Sequence, residues 1–359
     1  MPDILKAPFP FWGGKSRVAP LVWARFGDVP NYVEGFAGSL AVLLGRPHEP
    51  RIENVNDKDG FICNFWRALQ RDPEAVAEYA DNPVNECDLS ARHLWLVQNW
   101  KDSINRLCGD PDFYDAKVAG WWVWGLSCWI GSGWCSGSGP WVSVDGRLVN
   151  QKENDDGVWK QRPHLGNAGQ GVNRKLPHLS GAGQGVKRKL PQLRNAGEGI
   201  KRTSSRDDLV AYFQALAERL RHVRVCCGDW SRVMGPSVTY LHGLTGVFLD
   251  PPYSAEAGRD NGLYRIEDDS VAHDVRRYCI ENGGNPLLRI ALCGYAGEGH
   301  EELLAHGWTL KEWRTHGGYG NQGEGRGREN AKREIILFSP HCLSGRAEVL
   351  YDLFAEMEE

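Results

Sequence analysis

The sequence predicts an α/β protein: a mostly parallel sheet with helices on both faces, interrupted by a long insert. Three observations carry this. Asn31 to Glu34 reads as a strand, followed by a glycine turn, Gly35-Phe36-Ala37-Gly38-Ser39, and an apolar helix start, Leu40 to Leu44. Far downstream, Val247-Phe248-Leu249 reads as a second buried strand, stopped at Asp250 by Pro251 and Pro252. Between them, from about residue 82 to 204, the composition turns first to tryptophan and then to glycine and basic residues. At 359 residues the chain is long enough for one large α/β domain and a smaller one.

In chain order, Phe9 to Lys15 reads F-P-F-W-G-G-K, with a helix expected over Ser16–Arg25. Two glycines let backbone approach a ligand, and Trp12 and Lys15 flank them with a ring and a cation. The strand-turn-helix at Asn31–Leu44 matches the first half of a nucleotide-binding βα unit, with Phe36 and Gly38 in its turn; Phe36 also suits plain core packing. Arg51 to Asn56 reads as the next strand and ends at Asp57 and Asp59. A carboxylate there can accept both hydroxyl protons of a ribose, and Asp57 is the choice for that role. Either acid can instead cap the following helix, whose apolar face is Phe61, Ile62, Phe65, Trp66 and Leu69. A further helix over Pro73–Tyr79 ends this first segment, residues 1–81.

The insert, residues 82–204, opens with a helical run through Leu94, Leu96, Val97 and Trp100. Seven of the 15 tryptophans fall between 121 and 159, which predicts a small subdomain with a core of large rings. One or two of them near Gly131–Pro140 would suit a stacking platform. A fourteen-residue repeat follows, His164–Pro177, recurring as His178–Pro191 and in part as Gln192–Arg202. Each unit joins a glycine-rich stretch to a basic cluster: Arg174 and Lys175, then Lys187, Arg188 and Lys189, then Lys201 and Arg202. So few apolar residues cannot make a core, so the repeats read as a flexible basic arm or a solvated linker. Residues 160–206 hold eleven Lys or Arg against the single acid Glu198, about +10, in a chain whose formal net charge is −4. That asymmetry points to a polyanion met by one part of the molecule.

The last segment, residues 205–359, begins with a helix whose stripe is Leu209, Tyr212, Phe213, Leu216 and Leu220, followed by a strand, Val223–Cys227, and Asp229. Asp250 then stands where open α/β sheets place their ligand sites, at a strand's carboxyl end. Pro251 and Pro252 offer carbonyls without N–H groups, and Tyr253 adds a flat ring. Acceptors beside a stacking surface suit a planar ring with an exocyclic amino group, such as adenine. Beyond lie a Gly-rich loop at Gly262–Arg265, a helix over Ser270–Ile280, a strand at Leu288–Leu292 and a helix at His300–His306. Trp308–Trp313 and Arg333–Phe338 read as a closing pair of strands around a basic glycine loop, Gly317–Arg328.

D-P-P-Y, F-W-G-G-K and E-G-F-A-G-S together resemble the Dam-like DNA adenine-N6 methyltransferases, in the motif order of their α group, over roughly residues 5–80 and 205–340. The resemblance implies a Rossmann-like methyltransferase core with an inserted DNA-recognition subdomain. It implies S-adenosylmethionine as cofactor, contacted by Trp12 and Lys15 (the lysine near its carboxylate) and by Phe36, Gly38, Asp57 and Asp250. It also implies catalysis by Asp250, Pro251, Pro252 and Tyr253 on an adenine flipped from double-stranded DNA, in a cytoplasmic protein of bacterial or phage origin. Leu40 departs from the family pattern, which has a further glycine there.

Other features narrow the alternatives. No apolar run approaches the eighteen or so residues that cross a bilayer, and Met1–Lys15 has no signal-peptide core. The ten cysteines form no Cys-x-x-Cys pair and have no His at zinc spacing, so reduced thiols and no metal are expected. No Pro-Cys dipeptide offers the nucleophile of a carbon-methylating cytosine enzyme. A methyltransferase of RNA or protein amino groups, and a catalytically idle DNA-binding relative, remain open.

Overall fold

A computed structural model describes residues 5–9, 15–100, 103–129, 134–135, 141–144, 147–150, 206–252, 271–313 and 334–344. Its first helix, α1 (Ala19–Phe26), begins three residues later than the spacing suggests. The chain first makes a turn in which Val18 and Ala19 both donate to the Lys15 carbonyl, and Pro20 sits in the first helical turn, where its missing N–H costs nothing. Then come β1 (Asn31–Glu34), α2 (Ala41–Leu44), β2 (Ile52–Asp57), α3 (Gly60–Arg71) and α4 (Pro73–Ala80). Asp72 ends α3 and caps α4, accepting from the Ala75 N–H at 3.1 Å.

The insert contributes α5 (Glu86–Asn99), α6 (Ser103–Gly109), α7 (Ala116–Cys128) and an antiparallel ladder of β3 (Trp141–Val144) with β4 (Arg147–Asn150). The last segment adds α8 (Arg206–Leu220), β5 (Arg224–Cys227), β6 (Thr245–Leu249), α9 (Val271–Asn282), β7 (Leu288–Tyr295), β8 (Thr309–Glu312) and β9 (Glu334–Phe338). His300–His306, expected as a helix, is a 3-10 helix between two left-handed glycines, Gly299 and Gly307, which confine it to a short tight segment.

Seven strands form one sheet in the order β5-β2-β1-β6-β7-β9-β8. β5, β2, β1, β6 and β7 are parallel, while β9 runs antiparallel between β7 and β8. The parallel part has the doubly wound order, which reverses direction between β1 and β6. The α/β class and the mostly parallel sheet expected from the sequence are therefore present, as is the closing strand pair.

Strand alternation sorts the core into two layers. Tyr32, Phe248, Ala291, Cys293, Ile336 and Phe338 pack with the helical layer that includes α1, α3, α4, α7 and α8. Val33, Val247, Leu249, Ile290, Leu292, Ile335 and Leu337 pack on the other side with Val275 and Cys279 of α9 and with Trp230. The tryptophans of α7 extend the first layer. Trp122 stacks on Phe61 at 6.4 Å and meets Phe9 and Phe65 edge-on or tilted. Trp134 is buried against α7, where its ring occupies the space a side chain at Gly125 would fill, and donates to the Trp122 carbonyl. This ring is packing material, not a stacking platform.

Candidate functional site at the carboxyl rim of the sheet

The order reverses between β1 and β6, and open α/β sheets bind their ligands at the carboxyl ends of the strands at such a point. Period-two alternation brings a set of polar residues to it on one face. Glu34 follows Tyr32, Asp250 follows Phe248, Tyr295 follows Cys293, and Glu334 precedes Ile336, all in the parity of the first layer. Glu334 belongs to this rim because β9 is antiparallel: its first residue pairs with Tyr295, the last of β7.

Lys15 enters from the turn before α1. Its Nζ lies 3.0 Å from Asp250 Oδ1 and 4.0 Å from Glu334 Oε2, and 5.5 Å from the centre of the Trp313 ring. Burial alone would lower the pKa of this ammonium, but the charges of Asp250 and Glu334 outweigh it and hold it above the ordinary lysine range. Lys15 is thus a fixed cation in direct contact with the acid of the Asp-Pro-Pro turn. Pro251 is buried and Pro252 half-buried after it.

The glycine turn is held from several directions. Gly38 donates to Asp57 Oδ2 at 3.0 Å, and its carbonyl accepts from Trp66 Nε1 at 3.0 Å. Asn56 donates to the carbonyls of Gly35 and Gly228, tying the turns after β1 and β5 together. Phe36 stacks on Trp230 at 6.0 Å, so its packing role is realised on the rim itself. Leu40 takes the left-handed conformation, φ 56 and ψ 27, that glycine enters without steric cost. The loop therefore has the path of a glycine-containing turn, although Leu40 is fully buried.

The two acids after β2 divide their work. Asp59 caps α3, accepting from the Phe61 N–H at 2.8 Å. Asp57 accepts from Gly38 and from the Asp59 N–H at 2.8 Å. Burial nevertheless raises its pKa to about 6, because the backbone donors offset only part of the desolvation. Glu34 is buried too, with Tyr32 Oη donating to it at 3.0 Å; burial first, and then the charge of Asp250, raise it well above the ordinary value. Asp229 is occupied as a cap, accepting from Ser231.

Among the described residues, Lys15 stands against Asp250 and Glu334 at the rim, and Glu34 and Asp57 end the neighbouring strands β1 and β2. Such a place favours a ligand that brings positive charge and hydroxyl or amino hydrogens. Of the residues singled out from sequence, Lys15, Phe36, Gly38, Asp57, Asp250, Pro251 and Pro252 come together here. Glu34, Asn56, Tyr295 and Glu334 join them without having been singled out. The signal for Glu334 is an acid opening an otherwise apolar strand, where burial is expected and charge is costly; Glu34 has no such signal, since β1 also carries Asn31. Trp12, Tyr253, the repeat residues Arg174, Lys175, Lys187, Arg188, Lys189, Lys201 and Arg202, and the loops 262–265 and 317–328 lie outside the described residues.

Among the described residues no cluster of His, Cys, Asp and Glu could hold a metal ion, and no helix is long and apolar enough to cross a membrane. Neither a family model nor a curated protein sequence matches the chain.

Proposed function

We propose that this chain is an S-adenosylmethionine-dependent methyltransferase acting on the exocyclic amino group of adenine in DNA. The observation that carries the reading is the Asp-Pro-Pro turn at the reversal of strand order, with Lys15 against Asp250 and the buried acids Glu34 and Glu334 on the same rim.

The rim's donor set suits the cofactor. S-adenosylmethionine carries sulfonium and ammonium charges and vicinal ribose hydroxyls, and when bound it supplies an electrophilic methyl group. Asp57 would accept from the ribose with the lone pairs that Gly38 and Asp59 leave over. Glu34 and the Gly35–Gly38 turn would face its positive end, and Phe36 would border it. Asp250 and the Pro251 carbonyl would accept the two amino hydrogens of adenine, favouring a tetrahedral nitrogen with a localised lone pair. As the methyl group passed from the sulfonium sulfur, leaving a neutral thioether, the nitrogen would give up a proton, for which Asp250 would be the acceptor. Tyr253 would hold the flipped base by stacking. The basic segment 160–206, about +10, supports a polyanion as the target.

The test is transfer of tritiated methyl from S-adenosylmethionine to DNA, RNA and protein in parallel, with cofactor binding measured by calorimetry. Label is expected in DNA, in the 6-methyladenine fraction after hydrolysis. Label confined to RNA or protein would move the target. Absence of cofactor binding would overturn the reading and leave a DNA-binding relative without catalysis.

A further inference from the structure

Cysteines far apart in sequence meet where β2 and β5 end, and methyl transfer has no use for them. Cys63 lies in the first turn of α3, Cys108 near the end of α6, and Cys226 and Cys227 close β5. Alternation along β5 sends its two cysteines to opposite faces: Cys227 packs on the layer of α3, Cys226 on the other. The Cys227 sulfur accepts from the thiols of Cys63 and Cys108. Cys63 Sγ also lies 3.3 Å from the Asp57 carbonyl, and Cys108 Sγ lies 3.8 Å from the Cys227 carbonyl. None of these cysteines is in a disulfide.

The three thiols that touch are not equivalent. Cys63 is buried, and its bond to Cys227, then burial, keep it protonated well above the ordinary thiol value. Cys227 is half-buried; the Cys63 donor outweighs burial and the nearby Asp57 and Asp59 and holds it below that value. Cys108 is exposed. An attacking sulfur therefore stands between a fixed donor and a second thiol open to solvent, the arrangement of an oxidisable cysteine and its resolving partner. We propose that Cys227 and Cys108 are a peroxide-sensitive pair whose disulfide loosens the Asp57 corner of the rim.

Hydrogen peroxide is the oxidant. The Cys227 sulfur attacks one peroxide oxygen, the O–O bond breaks, and the departing hydroxide takes a proton to become water. The Cys108 sulfur, losing its own proton, then attacks the sulfur of the resulting sulfenic acid. An S–S bond forms and the S–O bond breaks, releasing a second water; both sulfurs are oxidised and the peroxide is reduced. The path to Asp57 is short. Cys227 is its register partner, the Gly228 N–H donates to its carbonyl at 2.8 Å, and Cys63 reaches the same carbonyl. A disulfide is far shorter than a thiol–thiol hydrogen bond, so Cys227 is drawn toward Cys108 and away from Cys63. The end of β5 beside Asp57 moves with it.

The experiment treats the full chain, wild type and Cys108→Ser, with hydrogen peroxide and then with dithiothreitol. Non-reducing peptide mapping reads the disulfide. Hydrogen exchange at Gly38 and Asp59, whose N–H groups bond the Asp57 carboxylate, reads the corner without any ligand. Peroxide is expected to join Cys108 to Cys227 in wild type and to speed that exchange by at least about fivefold, roughly the loss of one hydrogen bond, with dithiothreitol reversing both. Cys108→Ser is expected to stop at a sulfenic acid on Cys227, trapped with dimedone. Absence of the disulfide overturns the proposal, as does a disulfide through other cysteines, or a Cys108–Cys227 bond that leaves the exchange unchanged. A third measurement, calorimetry with S-adenosylmethionine, rests on the methyltransferase reading: the oxidised chain is expected to bind at least about fivefold more weakly than the reduced one. Equal affinity in the two states overturns the loosening. A reduced wild type that binds no cofactor brings down the methyltransferase reading only, and mapping and exchange then decide the thiol pair.

Discussion

Two buried ion clusters share the first-layer face of the sheet, and they are built on opposite principles. At the start of β2, Glu53 is held by Arg46 at 3.1 Å and by Arg219 at 2.7 and 2.9 Å, so one carboxylate meets two guanidinium groups. Arg46 is further satisfied by the Val29 carbonyl and lies over the Trp23 ring, and Arg219 reaches the Leu43 carbonyl. This cluster joins α2, β2 and α8 by pairing full charges. The carboxyl rim is the reverse. Lys15 stands against Asp250 and Glu334, and Glu34 and Asp57 accept from neutral hydroxyl and backbone donors, with pKa values raised by burial. The first cluster is closed by full charges; at the open rim, Glu34 and Asp57 meet neutral donors that offset only part of their desolvation, a pattern common at functional sites.

The largest effect that separates the two belongs to Asp250. Asp250→Ala removes the acceptor for the amino hydrogens, and methyl transfer is expected to fall by roughly two to four orders of magnitude. DNA binding, measured by gel shift or fluorescence anisotropy, is expected to survive. A variant that keeps a tenth of wild-type turnover would take the catalytic role away from Asp250. The matching change in the closed cluster, Glu53→Gln, leaves buried Arg46 without its counter-charge and should cost about 3–5 kcal/mol in urea unfolding. Destabilisation below about 1 kcal/mol there would mean that the arginines find water, and that the two clusters differ little in how they balance charge.

Much of the rim is legible in the sequence alone, because local signals carry it. The strand-turn-helix at Asn31–Leu44, the acids after β2 and the proline stop after β6 each announce a strand's end within a few residues. Which ends become neighbours is not legible there. A period of two assigns a residue to a face, but strand order and register are set by pairing between segments far apart in sequence. Lys15 and Asp250 meet only once α1 docks beside β6, and Glu334 joins them only because β9 runs backwards. Leu40 is legible as a departure from a glycine pattern but not as a residue in glycine's conformation, since residue identity does not report φ. The rings of α7 read as a local core because clustering in sequence looks the same whether they pack on each other or on Phe61 and Phe65.

A smaller effect sharpens the comparison through pH. The folded chain holds the Asp57 proton more tightly than the unfolded chain, with a value of about 6 against the ordinary 3.8, because of burial. Its contribution therefore favours folding at low pH and is lost as pH rises through that interval. Between pH 4 and 7 the stability of wild type relative to Asp57→Asn should decline and then level off above about pH 6. A difference that stays flat, or rises with pH, would mean that the Gly38 and Asp59 N–H groups stabilise the carboxylate enough to offset its burial. The open cluster would then be as well satisfied as the closed one.

The smallest expected effect concerns strain stored beside the rim. Leu40 has φ 56 and caps α2 from the left-handed region, yet it is wholly buried in the first layer. A side chain there costs the backbone about 1–2 kcal/mol, while truncating a buried leucine to alanine costs about 2–5 kcal/mol. Both Leu40→Ala and Leu40→Gly open nearly the same cavity, so both should destabilise. They differ in that alanine keeps the strained φ and glycine relieves it. At ordinary positions in regular structure glycine is the worse of the two by roughly 0.5–1 kcal/mol, through its unfolded-state entropy. Here the order should invert, with Leu40→Gly more stable than Leu40→Ala by about 1 kcal/mol in urea unfolding. If alanine is the more stable, the turn relaxes to a negative φ once the leucine is gone. Glycine's advantage at this turn would then come from close approach of a ligand to the backbone and not from the sign of φ.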